Sequence, residues 1–334
     1  MYDQNSPNNK WSQVTFQRIS ELEKLEQYQA KLLIMKEQMK NNIHWRNATI
    51  LGGILAFLSF QLVRWRAAIV IILLVVVFYY LPAYKKRKAL FGDRIRSNDE
   101  IYLDDILSPV LKEVFPQASI KEDGSIPSEA LTHLCPRSTD FLCFKQLSFH
   151  DDKELTVSNL YAHHTETRQR TSNGHTRTEH VEVTDFCGQV FFLNLPIHFS
   201  GHLRVVPTKK SFLFNREING DYPRARGNEV QIETEDIRNN ENYNIYCTDE
   251  LSARKFLTPK MLEWFDRQIS QNAMCVFLKD KKLFISLYTD RYIFPTPQKP
   301  EDIDQLSLVT EYHKLCRELA LIKEITAIFE GEAS

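Results

Sequence analysis

The amino-acid sequence predicts an α+β protein in which an N-terminal amphipathic helix and a transmembrane helical hairpin precede a cytosolic domain of antiparallel sheet with added helices. Three observations carry this. Two uncharged apolar runs, residues 47–63 and 67–84, are separated only by Arg64-Trp65-Arg66. From Phe141 onward, aromatic and β-branched residues alternate with polar ones around a central Asn173-Gly174, a strong hairpin-turn dipeptide. Charge divides with them: residues 1–90 hold 13 Lys and Arg against 5 Asp and Glu, and subtracting these from the totals of 42 and 43 leaves 29 against 38 for the rest. A hydrophobic content of 43% suits a folded chain, while only 10 glycines argue against glycine-rich phosphate loops.

Residues 1–10 are polar and read as a disordered tip. Over 11–45, Ile19, Leu22, Leu25, Tyr28, Leu32, Met35 and Met39 recur at spacings of three and four, one apolar stripe on a single helix. Its charges mix both signs, which suits packing against another helix better than lying on a membrane surface. A coiled coil with a second copy through 11–42 and a fold-back onto the chain's own domain fit the stripe equally well.

Residues 46–88 form the hairpin. Each run is at the short end of what crosses a hydrocarbon core of about 30 Å. One continuous helix would bury Arg64 and Arg66 at a cost of about 2.5 to 3.5 kcal/mol each, whereas a turn lets both reach the far interface. Arg46 on one flank and Lys85, Lys86, Arg87 and Lys88 on the other place both termini in the cytoplasm. The first run lies too far from the N-terminus for a cleaved signal peptide. The alternative is that the first run lies along the interface and only the second crosses.

The soluble domain spans 91–330. Residues 99–115 read as a helix with Ile106, Leu107, Val110, Leu111 and Val114 on one face, bent at Pro109. Residues 121–124 read as a turn and 127–134 as a short helix opened by proline. Strands follow at 141–206, folded into a long hairpin about Asn173-Gly174, with separate strands at 189–195, 202–206 and 243–247. Residues 249–256 and 259–269 are helical, the second with Thr258 as N-cap and Pro259 in its first turn. Residues 276–278 and 283–288 read as a second hairpin around 279–282, and 301–329 contain a closing helix. Strands in runs with helices added give α+β rather than alternating βαβ.

Chemistry is sparse. The chain has no dinucleotide, P-loop, HExxH or GxSxG motif, so no catalytic residue and no cofactor is assigned. Its net-acidic soluble part is a poor nucleic-acid binder. Cys135, Cys143, Cys187, Cys247, Cys275 and Cys316 form no CxxC pair and read as reduced core thiols. His163, His164, His175 and His180 are the metal candidates, because the hairpin folds one pair back toward the other, although the spacing is not that of a ligand set. Asp104-Asp105 and Asp151-Asp152 are adjacent and point apart, and Glu301, Asp302 and Asp304 suit a helix N-terminus. Arg168, Arg170, Arg177, Lys209, Lys210, Arg224 and Arg226 read either as a basic edge toward lipid headgroups or as charges guarding exposed strands.

The order of features resembles a bacterial family, domain-of-unknown-function family 3137. The residues that carry it are 106–116, Phe186-Cys187-Gly188-Gln189-Val190, Phe199-Ser200-Gly201, Tyr246-Cys247-Thr248-Asp249-Glu250, and Leu257-Thr258-Pro259 followed by 277–288. This chain has Ile293-Phe294-Pro295 where the family tends to place an acid before the proline. The resemblance implies two spans, a cytosolic α+β domain, a bacterial inner membrane and a neighbouring LemA-type membrane protein as partner, and it implies no activity. The reading is therefore a membrane-anchored, non-enzymatic scaffold or regulator binding a protein partner. The alternatives are a metal- or ligand-binding sensor or enzyme using the hairpin 163–180, or a lipid-surface module.

Overall fold

The computed structural model describes residues 7–62, 69–70, 72–74, 76–82, 84–85, 88, 96–172, 175–207, 212–213, 216–217, 224–234, 242–271 and 273–330. The chain divides into two compact units, residues 1–114 with 296–314, and residues 115–295 with 315–334.

In the first unit, α1 (Pro7–Lys24) and α2 (Glu26–Leu62) are separate helices broken at Leu25, rather than one. The helix α2 holds no proline and runs without interruption from the amphipathic stretch into the first apolar run. Leu32, Met35, Met39 and Ile43 are its buried stripe. Within the unit, α2 packs against α1, against α3 (Asn98–Ile101) and against the helix Pro300–Asp304; a π-helical segment Tyr102–Leu107 and α4 (Ser108–Val114) continue from α3, and α4 packs against α1. Asn42 Nδ2 donates to Asn98 Oδ1 at 2.8 Å, and Asn98 Nδ2 donates to the Met39 carbonyl at 3.2 Å. Ile101, Tyr102, Leu103, Ile106, Leu107, Val110 and Leu111 are the buried apolar residues of these segments.

The irregularity expected at Pro109 lies one turn earlier, in the π-helical segment Tyr102–Leu107. Proline has no N–H to offer the carbonyl of residue 105, and Tyr28 Oη donates to that carbonyl instead, at 3.2 Å. Burial, reinforced by Glu23 and Asp105, pushes the Tyr28 phenol well above its ordinary value.

No helix among the described residues is long and apolar enough to cross a membrane. The transmembrane hairpin expected at 47–63 and 67–84 is therefore unsupported by helix length. The described part of α2 ends at Leu62, and the second run lies partly outside the described residues, as do Arg64 and Arg66.

The second unit is built on a seven-stranded antiparallel sheet: β1 (Ser119–Asp123), β2 (Asp140–Ser148), β3 (Thr156–Ser172), β4 (His175–Pro207), β7 (Val230–Ile232), β8 (Tyr243–Cys247) and β9 (Ala273–Tyr288). The order is β1-β2-β3-β4-β8-β7, with β9 on the other side of β4. The short β5 (Phe212–Leu213) and β6 (Arg216–Glu217) pair separately.

Three expectations are corrected here. Residues 121–123 are strand β1, not a turn: four polar residues at a solvated sheet edge mimic turn composition. The strands read at 189–195 and 202–206 are one 33-residue strand, β4. It bends through register shifts between Asn194 and His202. The second hairpin does not form. β9 runs on through Lys279–Lys282 beside β4, and the polar residues mark a bulge with Asp280 at φ 55° rather than a reversal. The long hairpin itself is present: β3 and β4 pair from Thr156↔Phe192 to Ser172↔His175. Asn173 and Gly174 lie outside the described residues.

The bend in β4 depends on Gly201. Its φ of 75° is left-handed, and a Cβ there would meet Thr248 Oγ1 at 2.2 Å. Thr248 uses that approach, accepting the His202 N–H at 2.8 Å and donating its own N–H to the His202 carbonyl at 3.1 Å.

On one sheet face α5 (Ser128–Leu134) buries Ala130, Leu131 and Leu134 against Leu160, Phe186, Phe277 and Phe284. Against the other face, Met261, Trp264 and Phe265 form the buried stripe of α7 (Pro259–Gln271) at helical spacing, after α6 (Glu250–Phe256). Asp249 caps α6 by accepting the N–H groups of Leu251 and Ser252. The closing helix is Leu308–Glu330.

Candidate functional site

The hairpin does not bring its histidines together. His163 lies opposite Thr184, His164 opposite Val183 and His180 opposite Thr167. His163 and His164 are adjacent, so they point to opposite faces, and four residues of strand, about 14 Å, separate His163 from the cross-strand position of His180. The side chain of His175 lies outside the described residues. His164 and His180 have hydrogen-bond partners of their own, whereas His163 Nε2 lies 3.7 Å from Glu182 and its buried Nδ1 has no hydrogen-bond partner among the described residues. His164 Nδ1 meets Asp185 at 2.8 Å and its Nε2 lies 3.4 Å from Glu166. The Asp185 hydrogen bond raises the His164 pKa above its ordinary value against a small desolvation penalty. His180 Nδ1 meets Thr167 Oγ1 at 3.2 Å. Among the described residues, no group of three His, Cys, Asp or Glu is arranged to hold a metal.

The densest polar chemistry is elsewhere, around Arg204. The strand β4 places His202 and Arg204 two residues apart on one face, with Arg204 in register with Tyr246 on one side and Phe277 on the other. The guanidinium is fully buried and lies 4.8 Å over the Tyr246 ring. Glu229 reaches it from a turn in which the Glu229 N–H bonds the Arg226 carbonyl and Gly227 takes φ 56°. Arg204 Nη2 donates to Glu229 Oε2 at 2.6 Å and its Nε to Oε1 at 3.1 Å. His202 Nε2 lies 2.9 Å from Oε1, and the Arg226 N–H donates to Oε2 at 2.8 Å. The Arg204 Nη2 also donates to the Arg224 carbonyl at 2.7 Å.

Burial by itself would raise the Glu229 pKa. The hydrogen bonds from His202 and Arg204 outweigh it and hold the carboxyl down at about 2. Beside it, His133 on α5 stacks on Phe277 at 4.1 Å and 10°. Burial, with the nearby His202, Arg204 and Arg226, pushes His133 down to about 4, so it is neutral at pH 7. Glu229 has four donors upon its two oxygens and no capacity left to act as a base. The arrangement is a clamp tying α5, β4, β8 and the 224–229 turn together.

Sequence reasoning singled out Arg224 and Arg226 only as surface charge and passed over Arg204 and Glu229, which lie 25 residues apart. The one available signal was Arg204 within the apolar run Leu203–Val206, since an arginine in a buried strand needs a buried acid. Arg226 reaches the Thr132 carbonyl at 3.4 Å and Arg168 pairs with Glu166 at 2.9 Å. Lys209 and Lys210, and the side chains of Arg170 and Arg177, lie outside the described residues.

In the first unit, Asp105 is held by Arg96 at 2.5 Å and Lys31 at 3.0 Å, while Asp104 faces solvent. Asp151 accepts the Leu155 N–H at 2.9 Å, a turn role. Glu301 and Asp302 occupy the first turn of helix Pro300–Asp304, and Asp304 pairs with Lys40. Of the topology residues, Arg46 donates to Gln298 Oε1 at 2.7 Å, Lys85 and Lys88 are exposed, and Lys86 and Arg87 lie outside the described residues.

A family model described as "Protein of unknown function (DUF3137)" matches residues 184–330. The chain resembles the DUF3137 family. The matched stretch opens in β4 and takes in His202, Arg204, Glu229 and the Gly201 bend, so the clamp lies inside the DUF3137-like region except for His133. No curated protein matches the chain. Among solved structures it is similar to the mycobacterial trehalose monomycolate transport factor A, TtfA, at 7% identity and a TM-score of 0.29, over 59% of this chain and 84% of that one. A likeness at that level carries no argument.

Proposed function

We propose that this chain is a membrane-anchored, non-enzymatic scaffold or regulator of the bacterial inner membrane, with both termini cytoplasmic and the sheet unit binding a protein partner at the inner face. The observation that supports it is the exposure of the two apolar runs. Along α2 the buried stripe gives way to Ile50, Leu51, Ile54, Phe57 and Leu58, all exposed, and Ile69, Val70, Leu73, Leu74, Val77 and Leu81 are exposed in the second run. Contiguous apolar surface of this extent marks a membrane or partner interface. Two local contacts are consistent with this reading: Trp45 meets Tyr80 edge-on at 5.4 Å, and a Cβ on Gly52 would lie 3.3 Å from the Tyr80 hydroxyl.

The non-enzymatic part of the reading rests on Glu229, the most strongly perturbed acid of the clamp, being saturated by structural donors. The test is extraction of membranes with alkaline carbonate, followed by mass spectrometry of what stays bound to the full chain in mild detergent. Retention in the membrane with one stoichiometric membrane protein is expected. Release into the supernatant overturns the anchor, and a partnerless protein overturns the scaffold.

A further inference from the structure

The sheet face that carries α5 holds a cavity of about 150 Å³. It crosses four strands and is roofed by the loop 125–127. The lining is divided. Val190, Phe192 and Phe284 form an apolar floor, with the two phenyl rings 5.0 Å apart at 32°. Ile126 and Pro127 close it from above, and Gln146, Thr156 and Ser158 form a polar wall on β2 and β3. Register explains the grouping: Thr156↔Phe192, Ser158↔Val190 and Phe192↔Phe284 are facing pairs, so these side chains share one face.

The cavity is preformed rather than a gap left by a loose loop. The Gly124 N–H donates to the Cys143 carbonyl at 3.0 Å and the Ser125 N–H to Gln146 Oε1 at 2.6 Å, fixing the roof to β2. Gly124 lets the loop come this close, since a Cβ there would lie 2.5 Å from Ser158 Oγ. Of the described residues lining the cavity, only Lys282 is charged, and it is exposed at the rim.

We propose that this cavity binds a small organic monoanion with a flat apolar body, an aromatic carboxylate above all. An apolar cavity of this size holds a benzene ring, which sets the ligand at about six to ten non-hydrogen atoms. The ring lies on Phe192 and Phe284, where offset or edge contacts are favourable. The carboxylate sits at the rim with Lys282, and the hydroxyls of Thr156 and Ser158 favour a polar ring substituent over a bare one. A dianion has no second cation in the lining, and a long acyl chain has no room. The proposal uses the sheet unit alone and does not depend on membrane anchoring.

The experiment is calorimetric titration of the full chain, purified in mild detergent, with benzoate and with neutral benzyl alcohol. Saturable one-to-one binding of benzoate is expected. Lys282→Gln, an exposed change that leaves the fold intact, weakens benzoate about two- to fivefold and leaves benzyl alcohol unchanged. Ile126→Trp fills the roof and abolishes both. Absence of saturable benzoate binding to the native chain overturns the proposal. So does benzoate binding that survives both substitutions, which places it elsewhere, or an equal loss of benzyl alcohol in Lys282→Gln, which removes the role of charge.

Discussion

Arg204 and Glu229 are each fully buried, so neither charge survives without the other. Removing one partner of such a pair leaves an uncompensated buried charge, at a cost of about 3 to 5 kcal/mol. Glu229→Gln is expected to lower the unfolding free energy, read from denaturant titration, by that amount, while Arg204→Met together with Glu229→Leu recovers most of the loss; equal unfolding free energies for native and Glu229→Gln proteins would contradict the clamp. The pH dependence has two separate windows. The folded Glu229 pKa is depressed to about 2, so its contribution is complete above the ordinary carboxylate range near 4.5 and fades as pH falls toward 2. His133 is also depressed, from 6.5 to about 4, which favours the neutral form in the folded state. The unfolded chain then binds the extra proton between those values, and stability falls as pH drops from 6.5 to 4. Melting temperatures of His133→Phe, measured across pH, are expected to lose the upper limb and keep the lower one. This pair was illegible in the sequence because its members are distant in the chain and lie one in a strand and one in a turn. Only contact, not composition, joins them.

At the scale of elements, what could be read was what has a local period. The stripe of α2, the helices after Asp249 and Thr258 and the long hairpin follow from spacing, caps and the Asn-Gly dipeptide, each a short-range effect. What could not be read was continuity. β4 and β9 contain polar or proline-bearing stretches that look like turns, yet both run on because each is paired with the other through the bulge. Gly201 is the hinge of that bulge, and Gly201→Ala combines a strained φ with a clash at Thr248 Oγ1. It is expected to cost about 1 to 3 kcal/mol and to broaden the amide signals of His202 and Thr248; a neutral effect would mean that β4 bends by other means. The π-helical segment offers a second test. Tyr28→Phe removes the donor to the Asp105 carbonyl that Pro109 cannot supply, costing about 1 to 2 kcal/mol. Adding Pro109→Ala restores an N–H there, so the double variant is expected to be more stable than Tyr28→Phe alone, as a double-mutant cycle in urea would register.

Over the whole molecule the dominant asymmetry is of charge: a basic, apolar N-terminal stretch and a net-acidic remainder. In the proposed topology the cationic flanks, Arg46 and Lys85 to Lys88, are what keep the acidic sheet unit on the cytoplasmic side, because positive residues near a span resist translocation. The second flank carries most of that signal, with four cations against two arginines in the turn. Replacing Lys85, Lys86, Arg87 and Lys88 together by serine leaves Arg64 and Arg66 as the stronger cluster beside the second run. The expected outcome is that a fraction of the chains inverts that run and carries the sheet unit to the outer side. Protease added to intact spheroplasts would then cleave the unit in the substituted protein and spare it in the native one. Complete protection of both proteins, with the chain still in the membrane fraction, would show that these four charges do not orient it. The six cysteines all lie beyond the second run, so labelling with a membrane-impermeant maleimide, with and without permeabilisation, reads the same topology through accessible thiols.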